Sequence, residues 1–294
     1  MKKYIIAFFL LVISFLYIFL SNETGGARVF VNLMTFAGIY GLAAIGINVH
    51  FGWTGLLNFG HAAFMGIGAY TTVLLIPHSL GREGVVISSG LPLPLAILIG
   101  ILAAALLGLF LGLPTLRLRG DYLAIVTIAA AEIFRLLVRD FEDLTGGVYG
   151  IIQFSDSLQN SRPDFITRFG ESYDISPSQF WVGLLTWISI IVVLLILSRL
   201  KKSPWGRALR AVREDEDAVR ALGKNAVLLK LQSFMLGAAI GGLSGIFLVF
   251  NYGTVQASTF VPVLTFYVWA ALILGGVGSL AGPALGAVIF WVII

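Results

Sequence analysis

Apolar residues in this chain come in long uninterrupted runs. Segments such as YIIAFFLLVISFLYIFL (4–20) and FWVGLLTWISIIVVLLIL (180–197) show neither the period-two alternation of a half-buried strand nor a polar face at helical spacing. A helix rises 1.5 Å per residue, so about 20 apolar residues cross a hydrocarbon layer ~30 Å thick. On that scale nine candidate spans run roughly over 4–20, 29–50, 60–76, 92–113, 121–139, 179–199, 229–250, 260–276 and 283 onward. The pattern predicts an all-α polytopic integral membrane protein, a single transmembrane domain over 1–294. It has about 8–10 transmembrane helices, some broken or re-entrant where glycines interrupt a run.

Both ends of the chain carry an expectation. Met1-Lys2-Lys3 before an apolar run resembles a secretory signal, but Ser21-Asn22-Glu23-Thr24 offers no small-x-small cleavage site, so an uncleaved first helix is expected. The last run, from Pro283 to Ile294, reaches only about 18 Å as a helix. Either the native chain continues past Ile294, the favoured expectation, or this piece is a half-helix buried among other spans.

Composition supports the membrane class. Hydrophobic residues make up 58% and charged residues 12% of the chain, with a mean hydropathy of +0.96. Such a chain in water would expose large apolar patches, which lipid tolerates. The chain has no cysteine, which excludes disulfides, cysteine-ligated zinc and a thiol nucleophile. The net charge of +4 sorts by membrane side and forms no nucleic-acid patch. With the N-terminus inside, Lys2, Lys3, Arg117, Arg119 and the basic residues of 199–230 face the cytoplasm, while Arg28, Arg82, Arg139, Arg162 and Arg168 fall outside. Two long loops result, an acidic and polar extracytoplasmic one over 140–178 and a charge-dense cytoplasmic one over 200–228.

Within the second loop, Pro204 suits a helix start and Gly223 a helix stop. Between them Leu209, Val212, Val219 and Leu222, with Ala208, Ala211 and Ala218, give an apolar stripe at helical spacing. A single amphipathic helix that lies on headgroups or docks into a partner's groove is expected. In span 121–139, Asp121, Glu132, Arg135 and Arg139 share one face. Glu132 and Arg135, at i and i+3, can offset each other away from lipid or line a pathway. Asn58, His50 and His61 sit in or beside the glycine-broken piece FGWTGLLNFG, where free backbone groups can meet a polar solute. A packed, hydrogen-bonded His61 is the favoured reading over a substrate contact. Two histidines eleven apart are weak evidence for a metal, and no metal site is expected. Gly275-Gly276-Val277-Gly278-Ser279 lacks the Lys-Ser/Thr ending of a phosphate loop and reads as close helix packing, with Gly282-Pro283 starting the next helix. No Ser/His/Asp set or carboxylate pair can be argued from spacing, so no catalytic residue is assigned.

RLRGDYLAIVTIAAAEIFRLL (117–137), the following Leu144-Thr145-Gly146-Gly147 and Gly150-Ile151, GRALRAVREDEDAVRALG (206–223), GGVGSLAGPALGA (275–287) and NFGHAAFMGIGAY (58–70) together resemble LivM-type permeases of branched-chain amino acid ABC importers. The resemblance covers most of the chain in the expected order. It implies a multi-pass permease of the bacterial cytoplasmic (inner) membrane that carries Leu, Ile and Val, without catalytic or ATPase function of its own. Implied partners are a homologous second permease, two ATP-binding cassette ATPase subunits that hold ATP–Mg, an extracytoplasmic amino-acid-binding protein and membrane lipid; the chain itself would hold no cofactor. It also implies an ATPase-coupling role for Arg213, Glu214, Asp217, Ala218 and Gly223. Asp217-Ala218-Val219 with Gly223 keeps the spacing of the E-A-A-x-x-x-G coupling motif, with Asp for Glu and Val for the second Ala. Gly146, Gly147, Gly275, Gly276, Gly278 and Gly282 read as structural, and Asn58, His61, Glu132 and Arg135 as pathway candidates. Relatives that carry other neutral amino acids or urea remain alternatives, as does an ion-coupled secondary transporter using Glu132 and Arg135.

Overall fold

The computed structural model describes residues 25–80, 86–87, 90–115 and 120–294. The expected first span, 4–20, lies outside the described residues. In chain order the elements are α1 (Gly26–Ile47), a π-turn (Asn48–Gly52), α2 (His61–Leu74), β1 (His78–Leu80), β2 (Val86–Ile87), α3 (Leu93–Thr115), α4 (Gly120–Asp140) and α5 (Glu142–Thr145). They continue with β3 (Ile151–Ile152), α6 (Asp156–Gln159), α7 (Asp164–Ser172), α8 (Pro177–Lys202), α9 (Pro204–Glu214) and α10 (Glu216–Ala221). Last come α11 (Ala226–Tyr252), a 3₁₀ turn (Ala257–Phe260), α12 (Pro262–Gly275) and α13 (Gly282–Ile293). Each described helix over the expected spans starts and ends within a few residues of the boundary read from hydropathy.

The layering is that of a protein built for lipid. Four described stretches, Gly26–Gly52, Leu93–Pro114, Pro177–Lys202 and Ala226–Tyr252, are long and apolar enough to cross a membrane. The most apolar windows of α1 and α11 are 72% and 78% buried, those of α3 and α8 only 28%. The more apolar pair is therefore the outer one. Hydrocarbon accepts Leu and Ile faces without penalty, so the inner helices are the ones that carry glycine, serine and asparagine, through which backbones approach and bond. A Cβ added at Gly68 of α2 would stand 2.6 Å from the Cα of Gly242 on α11, and one at Gly100 of α3 would stand 2.7 Å from the Gly68 carbonyl. Three helices thus meet backbone to backbone.

Helices α2 and α12 have 14 residues each. At 1.5 Å per residue they reach only about 21 Å, short of a ~30 Å hydrocarbon layer. They are half-elements, α2 following the non-helical stretch at 55–60 and α12 preceding the one at 276–281, after which α13 begins. Helix α4 is long enough, but Glu132, Arg135 and Arg139 set it apart from the purely apolar spans.

Arg28, at the start of α1, pairs with Asp174 at 3.2 Å, and α1 ends beside Arg213. One end of the bundle therefore carries residues 140–178 and the opposite, basic end carries 200–230. The 140–178 segment forms a folded cap. Ile151, Phe154, Leu158, Ile166 and Ile175 are buried, β1 pairs antiparallel with both β2 and β3, and Ile151 exchanges backbone bonds with Val255 at 2.9 and 3.0 Å. These two- and three-residue strands are too short to carry a sequence period.

Gly68 tests the close packing. Gly68→Ala presses a methyl against α11 backbone that has no flexible atom to yield, and should cost about 1–3 kcal/mol. Scanning fluorimetry of the micelle-solubilised protein reads this as a lower unfolding midpoint; an unchanged midpoint would mean the backbones are not in contact.

Candidate functional site

Two interruptions organise the interior. In the first, α1 loosens into a π-turn, Gly55 adopts φ +73°, and the chain runs without regular structure to Gly60 before α2 begins. An L-residue at Gly55 would pay the left-handed penalty, which glycine avoids. Seven of the backbone groups here bond to side chains. Gly52 O accepts from Arg213 Nη1 at 2.6 Å, His50 O from Thr54 Oγ1 at 2.6 Å, and Val49 O from Ser233 Oγ at 2.8 Å. Asn58 O accepts from Trp269 Nε1 at 2.9 Å. The amides of Phe59 and Ala62 donate to Thr127 Oγ1 and Thr265 Oγ1 at 3.1 and 3.0 Å, and that of Gly60 to Asn58 Oδ1 at 2.9 Å.

The second interruption, 276–281, turns through Gly276 (φ +93°) and Gly278 (φ +81°). It is fastened to the first. Asn48 in the π-turn donates from Nδ2 to Ser279 O at 2.6 Å and accepts at Oδ1 from Gly278 N at 2.8 Å. Lys201 Nζ, at the end of α8, donates to Gly278 O at 2.8 Å. Gly275 and Gly282 close the turn, since a Cβ at either would strike the other's backbone. Gly146 ends α5 at φ +72°, followed by Gly147 at φ +56°.

His50, Asn58 and His61 have no exposed surface. The Phe234 carbonyl can only accept, so His50 donates from Nε2 at 2.9 Å. Its Nδ1 is then the acceptor for Asn58 Nδ2 at 3.1 Å. His61 stands 5.8 Å from the His50 ring, wedged where a Cβ at Gly241 would come within 2.6 Å of it. It is packed as expected, but it is not well hydrogen-bonded. Neither ring nitrogen has a hydrogen-bond partner in good geometry. The reason is its seat, an apolar slot between glycine-lined helices. No open surface reaches Asn58 or His61.

On α4, Arg135 grips Glu132 with both carboxylate oxygens engaged, Nε to Oε2 at 2.9 Å and Nη2 to Oε1 at 2.5 Å, with the side chains 20% and 37% exposed. Arg139 turns to Asp140 at 2.9 Å, and the Asp121 side chain lies outside the described residues. The face of α4 that packs inward is instead Leu123, Thr127, Ala131 and Val138.

At the basic end the single amphipathic helix expected over 204–223 is two helices. Asp215 takes an extended conformation (φ −155°, ψ 103°) and its carboxylate accepts the Ala218 amide at 3.0 Å. The side chain that reads as part of a charged face therefore ends α9 and caps α10. This also breaks the stripe: Ala208, Leu209, Val212 and Val219 are buried, whereas Ala211, Ala218 and Leu222 are exposed, Leu222 at 79%. Of the coupling candidates, Arg213 reaches inward to Gly52, while Glu214, Asp217, Ala218 and Gly223 face outward. Gly223 has φ +75° and open space around it. Glu216 holds both Arg220, at 2.7 Å, and Lys230 of α11.

The family described as "Branched-chain amino acid transport system / permease component" matches residues 29–293. The chain belongs to this family. It is 37% identical over 270 residues to the high-affinity branched-chain amino acid transport system permease protein LivM of Salmonella typhimurium, and equally to that of Escherichia coli K12. Each match covers 88% of this chain and 61% of the relative, so the chain spans about three fifths of those proteins. The LivH permease of Escherichia coli K12 is 27% identical over 264 residues, covering 88% of this chain and 81% of LivH. No solved structure matches. Family and helices agree on a multi-pass membrane protein. What the hydropathy pattern does not reveal is the set of side chains from α4, α8, α9, α11 and α12 that bond to the two interruptions.

Asn48 is the direct link between them. Asn48→Ala leaves Gly278 N and Ser279 O without partners, each loss costing about 1–3 kcal/mol. Amide exchange in residues 276–281 should then rise by at least tenfold, while Asn48→Asp, which keeps the acceptor, falls between. Wild-type protection in Asn48→Ala would remove Asn48 as the tie.

Proposed function

We propose that the chain is a permease subunit of an ATP-binding cassette importer for the branched-chain amino acids Leu, Ile and Val. In the bacterial inner membrane it would pair with a homologous second permease and two ATPase subunits that bind ATP–Mg, and receive solute from an extracytoplasmic binding protein. The carrying observation is the connection from the basic end to the interior, added to the family membership. Helices α9 and α10 and the turn after them present Glu214, Asp217, Ala218, Leu222 and Gly223 outward, while Arg213 of α9 and Lys201 at the adjoining end of α8 bond to Gly52 and Gly278. An ATPase that moves α9–α10 would thereby pull on the first interruption through Arg213 and on the second through the end of α8. Nucleotide binding then shifts the population between states that differ in how the half-helices sit.

In this reading Asn58 and His61 act from within, by holding the first interruption in shape. Glu132 is held by Arg135 through both oxygens, which supports a packing role for the pair and gives ion coupling no free carboxylate there. The N-terminus and the 200–228 loop are assigned to the cytoplasm, and the 140–178 cap to the opposite side.

Vesicles holding the complete complex, with ATP inside, loaded binding protein outside and the proton and sodium gradients collapsed, should accumulate leucine. Uptake that requires a gradient and ignores ATP would refute the importer reading. Leu222→Asp probes the docking face. Leu222 is exposed, so the change should leave the unfolding free energy within about 0.5 kcal/mol of wild type and abolish ATP-driven uptake. Full uptake would move the coupling surface elsewhere.

A further inference from the structure

An open cleft of about 440 Å³ lies where α1, the end of α11 and the start of α12 converge, a volume within the range of small-ligand sites. Tyr40, Tyr252, Tyr267, Thr254 and Thr259 supply hydroxyls to it and Val263 an apolar wall; no charged residue lines it. It sits beside a third non-helical stretch, Gly253–Val261 with its short 3₁₀ turn, which leads from α11 to the half-helix α12.

Three observations converge on a ligand here. First, Tyr40 is only 4% exposed, its ring set edge-on against Trp291 at 5.0 Å; it lines the cleft, and its hydroxyl has no protein partner among the described residues. A buried phenol normally finds a partner. Second, α12 starts on the cleft uncapped. Its N-cap is Val261, which has no side-chain oxygen, Pro262 has no N–H, and the Val263 amide donates to no described group. The positive end of a 14-residue helix is therefore presented to the cleft with a free donor, an arrangement that favours a carboxylate. Third, the rings of Tyr40, Tyr252 and Tyr267 and the Thr hydroxyl oxygens are the partners an ammonium uses in the absence of a carboxylate.

We propose that this cleft is a transit site for a zwitterionic amino acid, with its carboxylate at the N-terminus of α12 and its ammonium among the tyrosines. The proposal rests on the importer reading and adds the site within this subunit. An anion alone would find the helix end but no full counter-charge; a cation alone would meet the helix end with the wrong sign. The zwitterion satisfies both ends, and the lack of Arg or Lys keeps the hold weak enough for release, as passage requires. An aliphatic side chain would lie against Val263 and Leu264.

The test uses the complete complex in proteoliposomes at saturating loaded binding protein, with leucine uptake and ATP hydrolysis followed together. Tyr40→Phe keeps the ring contacts and removes the hydroxyl; Thr254→Asp puts a fixed carboxylate beside the α12 terminus, and Thr254→Asn is its neutral control. Thr254→Asp should cut uptake about tenfold or more and Tyr40→Phe severalfold, the scale of a lost charge-assisted hydrogen bond. Binding-protein-stimulated ATP hydrolysis should persist and Thr254→Asn should transport like wild type. Wild-type uptake in both Tyr40→Phe and Thr254→Asp would overturn the site while leaving the importer reading intact. Loss of the second permease on purification of these variants would make the cleft a subunit contact and overturn it equally. A wild-type complex that moves no amino acid with ATP would instead refute the importer reading, and the proposal with it.

Discussion

A helix interrupted inside lipid must have its freed backbone groups satisfied by protein, because no water is there to do it. That constraint accounts for most of the polar architecture of this chain. The stretch from Val49 to Ala62 exposes carbonyls and amides that would each cost several kcal/mol unpaired in hydrocarbon. Ser233, Thr54, Arg213, Trp269, Thr127, Thr265 and Asn58 meet seven of them. Asn48 and Lys201 do the same for the turn at Gly278 and Ser279. The inner helices carry small and polar residues because they form the walls of these interruptions, and the outer helices are free to be almost wholly apolar.

The same bonds make the molecule mechanically connected. Arg213 on α9 and Lys201 at the end of α8 each spend a charge on a backbone carbonyl of a different interruption, and Asn48 joins the two interruptions to each other. A displacement at the basic end therefore has short covalent and hydrogen-bonded routes to α2 and α13, the helices that follow the two interruptions. In a permease this is the property that lets work done outside the bilayer reach the pathway. In the importer proposed above, Asp217 and Leu222, which face outward, would receive the work and Arg213, which reaches inward to Gly52, would pass it on.

Hydropathy made the helices and their approximate ends legible, and Gly52, Gly55 and Gly60 marked the first interruption before any contact was known. The partners could not be read, because Thr127, Arg213, Trp269 and Ser279 are scattered far along the chain and look like ordinary polar or aromatic residues of helices and loops. Asp215 shows the limit of periodicity: the stripe from Leu209 to Leu222 continues through it, but a carboxylate that captures the Ala218 amide outweighs one more helical turn. The cap was missed for a related reason. Its buried Phe154, Leu158 and Ile166 are too few and too irregularly spaced to stand out in a segment that is otherwise acidic and polar. The Glu132–Arg135 pair was legible from its i, i+3 spacing because that interaction is local.

The central claim is that α9–α10 and the two interruptions move as one body. The chain contains no cysteine, so spin labels can be placed pairwise at Ala221→Cys, Ser279→Cys and Phe165→Cys in the isolated subunit without background from the chain itself, and distances read by pulsed electron resonance after assembly with the partner subunits, without nucleotide and with ATP trapped. The account predicts that the 221–279 distance stays fixed between the two states while the 221–165 and 279–165 distances change together. A 221–279 distance that changes while 279–165 stays fixed would show the basic end moving independently of the interruptions, and would contradict it.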